Sequence, residues 1–374
     1  MRARNLLIGI ALAALVALME HAGAFRRAEL ALYDFELRAR NALVTSHSKP
    51  DGRIVIVAID QKSAAALGRP PWRRAVYADA LRLLRGADVV ALDVQFSEPA
   101  EGDDVLADAV AAHGGVVLPF YEDEEGRVVA PVIALQRAAA GIGSIQFRRD
   151  ADGRVRGVPL IFRVGDNYFF TFGLEVVRLI EGLELDEERT GLERLCFKPL
   201  CIPENEDGNM LISFAGGPGA FPVFSIADVL NGAVPPAVFE GKIVLVGTTD
   251  PAEQDYWDTP FSAALDEDIE LDALEVITGG VAGTPGVEIH AGVANTILKR
   301  DFVRRFPGAL YVPRRIRLGK VRFGGRMYTA ALFAFGAAAA AAYVLLPPAW
   351  SALACAHHAA RPPSGAFAHM TRIS

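Results

Sequence analysis

Two aspartates, Asp60 and Asp93, each follow a short apolar run and are the residues best placed for binding chemistry. The first run is "IVIVAID" at residues 54–60, and the second is "DVVALDVQF" at residues 88–96. Runs of this kind, rich in β-branched residues, are typical of strands that a parallel sheet buries on both faces. Because open α/β sheets bind ligands at the carboxyl ends of their strands, the sequence predicts a ligand-binding site that contains both aspartates.

Trp72 and Arg73 follow the first run, and we expect them to complete this ligand-binding site. Two neighbouring carboxylates repel each other, so an arginine or a cationic or hydroxylated ligand should balance them. A structural alternative stays open for each residue. The aspartates can instead cap the helices that follow them or pair with Arg73 or Arg74, and Trp72 can pack as a lid over the sheet edge.

A metal site would have to use the acids and the single histidine near position 290, namely Asp250, Asp255, Asp258, Glu288 and His290. Residues two apart on a helix do not share a face. We therefore predict no metal and no other cofactor, and we expect His290 to be a hydrogen-bonded structural residue. The acidic stretch at residues 262–284 lacks the spacing of an EF-hand, so we interpret it as a solvated loop.

The chain has 3 cysteines, too few for a disulfide scaffold or a four-thiolate zinc site. Cys196 and Cys201 enclose the segment "FKPL", and an oxidising, exported compartment would permit a disulfide between them. Two free thiols are the alternative. Cys355 lies in an apolar segment, and we interpret it as a free thiol that behaves as a small apolar residue.

Motifs of the common enzyme classes are missing from the sequence. It contains no Gly-x-Ser-x-Gly nucleophile elbow, no glycine-rich loop followed by Lys-Ser/Thr, and no kinase catalytic-loop phrase. An enzyme needs a positioned base together with a nucleophile or a metal, and this chain offers scattered aspartates. We therefore interpret the chain as a binding protein and not as an enzyme. An extracytoplasmic enzyme that uses the sheet-edge carboxylates is the alternative.

The segments that must position these residues alternate between strand and helix patterns. Apolar runs separated by helical patterns predict a parallel sheet with right-handed crossovers, in which Asp60 and Asp93 close neighbouring strands. The pairs Asp152-Gly153 and Gly165-Asp166 are hairpin signals and predict an antiparallel insertion. The predicted fold class is α/β: a mostly parallel sheet covered by helices, with an antiparallel hairpin insertion and flanking membrane segments.

The apolar excess of the chain lies at its two ends. Residues 5–19 are uncharged and follow Arg2 and Arg4, which is typical of either a cleaved secretory signal or an uncleaved membrane anchor. Both alternatives would export the residues that follow. Residues 327–356 carry no charge and are long enough to cross a bilayer once, although a low-complexity tail that never inserts is the alternative.

Charge limits the function classes further. The chain has 374 residues, a net charge of −7 and 22% charged residues. The acidic balance argues against a nucleic-acid partner, and the charged fraction is too high for a polytopic membrane protein. Residues 304–326 form a basic cluster that would lie outside the cytoplasm, against the positive-inside tendency.

Several phrases, taken together and in order over residues 28–305, resemble the type-2 CHASE domain, an extracytoplasmic sensory domain associated with cyclases and histidine kinases. The phrases are "YDFELRAR", "IVIVAIDQKSAAALGRPPWRR", "GADVVALDVQFSEP", "DDVLADAV", "DADGRVRGVPL", "FSIADVLNG", "GKIVLVGTT", "DTPF" and "PGVEIHAGVANTIL". The resemblance implies a domain outside the membrane that follows an N-terminal helix, and it favours a retained anchor over a cleaved signal. It also implies a small extracytoplasmic ligand.

After about residue 306 the sequence departs from that family's pattern, in which several membrane helices and a cytoplasmic output module normally follow. The 18 residues beyond Ala356 cannot bury a core. We therefore expect a membrane-anchored, periplasmic sensor domain of the inner membrane whose output module is absent from this chain. A second copy and a signalling partner in trans are the further partners that this interpretation allows. The expected parts are an anchor or signal (1–25), the sensory domain (26–305), a basic linker (306–326), a membrane segment (327–356) and a tail (357–374).

Overall fold

The computed structural model describes residues 26–43, 49–165, 167–191, 194–205, 208–262, 283–303, 317–318 and 321–322. The apolar run before residue 26, the acidic residues 266–272, the segment 327–356 and Cys355 lie outside these residues. Across the described parts of the chain, we find no helix with the length and apolar content that crossing a membrane requires. The predicted membrane segments at residues 1–25 and 327–356 lie outside the described residues and stay predictions.

The helices, in chain order, are α1 (Arg26–Leu43), α2 (Gln61–Leu67), α3 (Arg74–Leu83), α4 (Asp103–His113), α5 (Ile133–Ala138), α6 (Phe172–Glu181), α7 (Ile226–Leu230) and α8 (Gly286–Leu298). The strands are β1 (Ile54–Ile59), β2 (Val89–Leu92), β3 (Val116–Glu122), β4 (Val128–Val129), β5 (Gly141–Ser144), β6 (Gly157–Pro159), β7 (Ile161–Val164), β8 (Asn167–Thr171), β9 (Glu184–Leu185), β10 (Arg194–Lys198), β11 (Cys201–Pro203), β12 (Asn209–Leu211), β13 (Val223–Ser225), β14 (Ile243–Thr248), β15 (Tyr256–Trp257), β16 (Thr284–Pro285), β17 (Arg317–Leu318) and β18 (Val321–Arg322).

The central sheet has the strand order β13-β1-β14-β2-β3-β5-β8-β7, with β4 paired to β3. Its pairings are parallel from β13 to β8, whereas β7 runs antiparallel to β8 and β4 antiparallel to β3. The predicted α/β class with a mostly parallel sheet is confirmed. Leu30–Arg305 form one compact unit; in the second unit, Met1–Glu29 with Phe306–Ser374, the structure describes the start of α1 and the antiparallel pair β17–β18.

The prediction that Asp60 and Asp93 close neighbouring strands is wrong. β14 lies between β1 and β2, pairing Ile56 with Leu245 and Leu245 with Ala91. β14 is buried at its first five positions. An apolar strand of this kind buries the most apolar surface at the centre of a sheet, where helices cover both faces. A strand from far along the chain therefore separates two strands that follow each other in sequence.

The hairpin insertion is also smaller than predicted. β7 and β8 form an antiparallel hairpin whose turn contains Gly165, at a φ of 60°. At Asp152-Gly153 the chain instead makes a tight turn, in which Asp150 N donates to Arg154 O at 2.8 Å. No strands of the described chain pair across this second turn. The carboxylates of Asp150 and Asp152 instead bind the buried side chain of Arg156.

Alternation along the strands divides the core between the two faces of the sheet. Ile54 and Ile56 pack on one face with α6, α8 and the buried side of α1, whereas Val55 and Val57 pack on the other face with α3 and α4. This period of two is the pattern that a doubly covered sheet dictates. The face under α8 is the one that supports the candidate site described next.

Candidate functional site

Asp93, the residue after β2, lies at the carboxyl edge of the sheet with its carboxylate almost out of contact with solvent. Its side chain is 9% exposed. Its backbone N donates to Val246 O at 2.7 Å, which fixes the residue against β14. We find no hydrogen bond to the Asp93 carboxylate from any residue that the structure describes. A largely buried carboxyl without a protein hydrogen bond is uncommon, so this position is a candidate for function.

His290 on α8 faces Asp93 across a gap. His290 Nε2 lies 4.0 Å from Asp93 Oδ2, too far for a hydrogen bond. The buried Nδ1 atom has no hydrogen-bond partner either. The imidazole is held instead by aromatic rings: it stacks on Phe147 at 4.6 Å between centroids and meets Phe172 edge-on at 5.2 Å. The expectation of a hydrogen-bonded structural histidine is therefore wrong, although His290 is fully buried.

The start of α8 brings a second carboxylate to this edge. Asp255 accepts a hydrogen bond from Trp257 Nε1 at 2.8 Å, and its backbone O accepts from Gly286 N at 3.0 Å. α8 can approach because position 247 is glycine: a Cβ there would lie 2.7 Å from Val287 Cβ and 3.2 Å from Asp93 Cβ. The close packing of α8 on β14 therefore sets the spacing of the acidic groups.

Burial controls the protonation of this cluster. Burial, together with the nearby Asp255 charge, raises the pKa of Asp93 to about 8. Burial lowers the pKa of His290 to about 3. The pKa of Asp255 is also raised by burial, against the opposing hydrogen bonds from Trp257 and Gly286. At neutral pH the facing pair is therefore mainly uncharged, with a protonated Asp93 and a neutral His290.

The loop before β6 connects this cluster to α1. Phe147 stacks on His290 and meets Trp257 edge-on at 5.2 Å, while the Arg149 guanidinium lies 4.8 Å above the Trp257 ring. A few residues later, Arg156 is 1% exposed. Its guanidinium donates two hydrogen bonds to the Asp34 carboxylate on α1, at 2.7 and 2.8 Å. One short loop therefore touches both the cluster and α1.

Further carboxylates complete the ion pairs of Arg156. Its Nη1 atom donates to Asp150 at 2.9 Å and its Nη2 atom to Asp152 at 2.6 Å, while Arg154 donates to Asp34 at 2.7 Å. Burial opposes ionisation of Asp152, but the Arg156 hydrogen bond and charge hold its pKa below the ordinary value. The buried guanidinium is thus fully compensated by acids from α1 and from the loop.

A second connection runs through the segment after β15. Asp258 O accepts a hydrogen bond from Val155 N at 2.7 Å, and the side chain of Arg38 on α1 donates to Pro260 O. Arg38 also reaches Ser262 O at 3.4 Å. The stretch that carries Asp255 and Trp257 therefore ends in hydrogen bonds to α1, parallel to the connection through the loop.

Asp60 has a structural role at the start of α2. Its Oδ1 atom accepts hydrogen bonds from Ser63 N at 2.8 Å, from Ser63 Oγ at 2.5 Å and from Ser225 Oγ at 2.8 Å. This is the helix-capping alternative of the sequence analysis. Ser225 closes β13, so the same carboxylate also ties the edge strand to the helix.

Trp72 and Arg73 do not join Asp93. Trp72 is buried, its Nε1 atom donates to Gly68 O at 2.6 Å, and its ring lies 6.0 Å from that of Tyr77. Arg73 is exposed at the residue before α3, and Arg74 pairs with Asp103 at 2.7 Å. None of these contacts involves Asp60 or Asp93. The arrangement favours the packed-lid alternative for Trp72, and ligand contact by Trp72 and Arg73 stays a prediction.

Cys196 and Cys201 are joined by a disulfide in the structure. They occupy directly opposed positions of the antiparallel pair β10–β11, which brings the two side chains together. Oxidation of the pair in the exported protein is a prediction that we return to below.

The acids that the sequence analysis considered as metal ligands near position 290 do not share one site. Glu288 accepts hydrogen bonds from the backbone N atoms of Gly219 at 3.0 Å and Ala220 at 2.8 Å, away from His290. Burial raises the pKa of Glu288 against these hydrogen bonds. Within the residues that the structure describes, no group of three or more His, Cys, Asp and Glu side chains is placed to hold a metal ion.

Sequence reasoning identified Asp93 but missed its surroundings. Asp255 and Trp257 follow the run "KIVLVGTT", so they lie at the same sheet edge once the strand order is known. No sequence signal pointed to Phe147, because its role depends on how the loop folds back over His290. The candidate site is therefore built around β2 and β14. The contacts of Asp60 favour its capping alternative, and ligand contact by Asp60 stays a prediction.

Comparison with known proteins gives one match. A family model described as the CHASE2 domain matches residues 10–318, which is most of the chain. No curated protein and no solved structure matches the chain significantly. CHASE2 domains are extracellular sensory domains of signalling proteins. The order of the matched phrases, the parallel sheet and the extent of the match together place this chain in the CHASE2 domain family.

Proposed function

We propose that this chain is the periplasmic sensory domain of a membrane-anchored bacterial signalling receptor, and that it binds a small molecule at the sheet edge around Asp93. The observation that carries this proposal is the Asp93 carboxyl, which is 9% exposed, accepts no hydrogen bond from any residue that the structure describes, and faces His290, whose buried Nδ1 atom has no partner. A ligand hydroxyl or ammonium group would supply the missing hydrogen bonds. The carboxyl edge of the strands is also where open α/β sheets bind their ligands.

The connections to α1 explain how binding would become a signal. The loop that carries Phe147 and Arg156 and the segment between Asp255 and Ser262 both contact the cluster at one end and α1 at the other. A ligand that moves His290 or Trp257 therefore moves groups bonded to α1. Since α1 directly follows the N-terminal apolar run in sequence, we propose that α1 carries the response towards the membrane.

Membrane anchoring is part of the same proposal. The CHASE2 match begins at residue 10, inside the apolar run, which supports a retained anchor over a cleaved signal. The proposed partners are a small periplasmic ligand, the membrane and a signalling protein acting in trans. The alternative, an extracytoplasmic enzyme that uses Asp93 and Asp255, would require turnover that Asp93→Asn abolishes.

A thermal-shift screen of the full-length chain tests ligand binding. The probes are small polyols, sugars and organic amines, since these supply the hydroxyl or ammonium groups that the cluster lacks. We expect at least one class to raise the melting temperature, and Asp93→Asn to remove the effect. Asp88→Asn, an exposed aspartate at the start of the same strand, is the matched control and should leave it unchanged. Stabilisation that persists in Asp93→Asn, or no stabilisation by any class, would contradict the proposed site.

A further inference from the structure

α1 has two apolar faces, and only one of them is covered. Leu30, Tyr33 and Leu37 are buried against the domain. On the other side, Leu32 is 57% exposed and Phe35 is 68% exposed. At 3.6 residues per turn, these two sets lie on roughly opposite sides of the helix. The outward face of a surface helix normally carries charged residues, so this apolar face needs an explanation.

The exposed face follows a heptad. Four residues that we call the seam recur at intervals of three, four and three positions: Leu32, Phe35, Ala39 and Ala42, of which Ala39 is half-buried and the others are exposed. Leu43, 82% exposed, lies beside the end of the seam. Apolar residues at this spacing form the contact line of two helices that wrap around each other in a left-handed coil. The pattern is thus one that a second helix of the same kind complements.

We infer that the seam packs against the same seam of a second copy of the chain, with the two α1 helices parallel. Glu36 and Arg38 flank the seam on opposite sides. In a parallel pair, heptad geometry places Ala31 of one copy opposite Glu36 of the other, and Arg38 opposite Leu43, so no like charges meet. An antiparallel pair would turn Glu36 towards Glu36, whereas the Arg38 guanidinium is already bound to Pro260 O and Ser262 O of its own chain. The Glu36 charge therefore favours the parallel arrangement.

The length of the seam indicates how strong the contact between the two copies is. From Leu32 to Ala42 the helix spans about 15 Å at its rise of about 1.5 Å per residue. A contact of this length buries well under the ~1,200 Å² of a stable interface. The seam is therefore a weak contact that other segments must reinforce. In sequence, the uncharged run at residues 5–19 ends shortly before α1.

This dimer has a consequence for the ion pairs described above. Asp34 lies between Tyr33 and Phe35 in sequence and is held by Arg154 and Arg156. The same helix turn therefore binds the loop on its inner side and the second copy on its outer side. The inference goes beyond the proposed ligand site and needs no ligand, so failure of either leaves the other standing.

Self-association of the full-length chain in mild detergent, measured by sedimentation, is the first test. We expect a monomer–dimer equilibrium, and Phe35→Glu should weaken it by about tenfold or more, because it places like charges on facing seam positions. Ile133→Glu is the matched control, since Ile133 is 60% exposed elsewhere on the domain. A chain that stays monomeric, or a dimer that Phe35→Glu leaves unchanged, would overturn the inference.

Cysteine cross-linking provides a test that does not depend on a charged substitution. In a Cys355→Ser background, single variants Leu32→Cys and Phe35→Cys should cross-link between copies under mild oxidation, and Glu36→Cys should cross-link several-fold less. Strongest cross-linking at position 36 would indicate another arrangement and overturn the parallel seam. A monomer in which the position-35 thiol is protected from a soluble alkylating reagent would show that another part of the chain covers the seam, which also overturns it.

Discussion

Asp93 makes the stability of this domain depend on pH in a defined window. Its folded pKa of about 8 is above its ordinary value of 3.8, so the stability that its proton provides is complete at low pH and is lost as pH rises through 8. His290, whose folded pKa is about 3 against an ordinary 6.5, acts in the opposite direction, and its contribution is lost as pH falls below 6.5. Of these two residues, only Asp93 therefore contributes a pH-dependent term to the unfolding free energy between pH 6.5 and 8.

Between pH 6.5 and 8, we predict that the unfolding free energy of the parent chain falls by about 2 kcal/mol more than that of the Asp93→Asn variant. Urea titrations at the two pH values measure this difference. Burial also raises the pKa of Glu204 to about 7, and this effect is common to both proteins and cancels in the comparison. Equal pH dependence of the parent and the variant would show that Asp93 is not buried as described.

Arg156 is the second residue with a large expected effect. Arg156→Met leaves the carboxylates of Asp34, Asp150 and Asp152 without their buried cation, so we expect a loss of about 3–5 kcal/mol of unfolding free energy. Arg53→Met is the matched control: Arg53 pairs with Asp51 at 2.9 Å but is 43% exposed, and its loss should cost under about 1 kcal/mol. Similar losses for the two variants in urea denaturation would contradict the central role of Arg156.

At the scale of elements, the packing of α8 on β14 depends on one glycine. A Cβ at position 247 would lie 2.7 Å from the Cβ of Val287, so Gly247→Ala must push α8 away from the strand. We predict a loss of about 1–3 kcal/mol, measured by urea denaturation. Gly52→Ala, where a Cβ meets nothing within 4 Å, should change the unfolding free energy by under about 0.5 kcal/mol. A tolerated Gly247→Ala would mean that α8 is not packed this closely.

The pair β10–β11 carries a second element-scale prediction. Because Cys196 and Cys201 face each other across the pair, we expect them to be oxidised in the protein isolated from an oxidising compartment. Mass spectrometry of alkylated, unreduced peptides measures this. A peptide in which both thiols carry the alkyl label would contradict the prediction.

For the whole molecule, the proposed topology places residues 26–303 outside the cytoplasm. The turn at Asp123–Gly126 follows β3, is held by local hydrogen bonds and is exposed at residues 124–126, so we expect it to tolerate an inserted reporter. We predict that a reporter active only in the periplasm works at this turn. A reporter that works only in the cytoplasm is the reciprocal control, and its activity there would contradict the topology.

From the sequence alone, the class of fold and the family could be established. Buried strands such as β1 and β2 appear as continuous β-branched runs, and the order of short phrases is sufficient to identify a CHASE-type domain. Asp93 was predicted as a site residue for the same local reason, since it follows such a run, and its role in ligand binding stays a prediction. These features depend on residues close together in the chain, and local pattern is sufficient for them.

Only the tertiary structure decided which residues surround Asp93. The strand order places β14 between β1 and β2, which separates Asp60 from Asp93 and brings Asp255 to the cluster instead. Phe147 and His290 are 143 positions apart and stack because a loop folds back onto α8. Contacts of this kind depend on how whole helices and strands pack. Burying β14 on both faces stabilises the sheet more than pairing β1 with β2, which are adjacent in sequence. This difference depends on residues far apart in the chain, so no short stretch of the sequence encodes it.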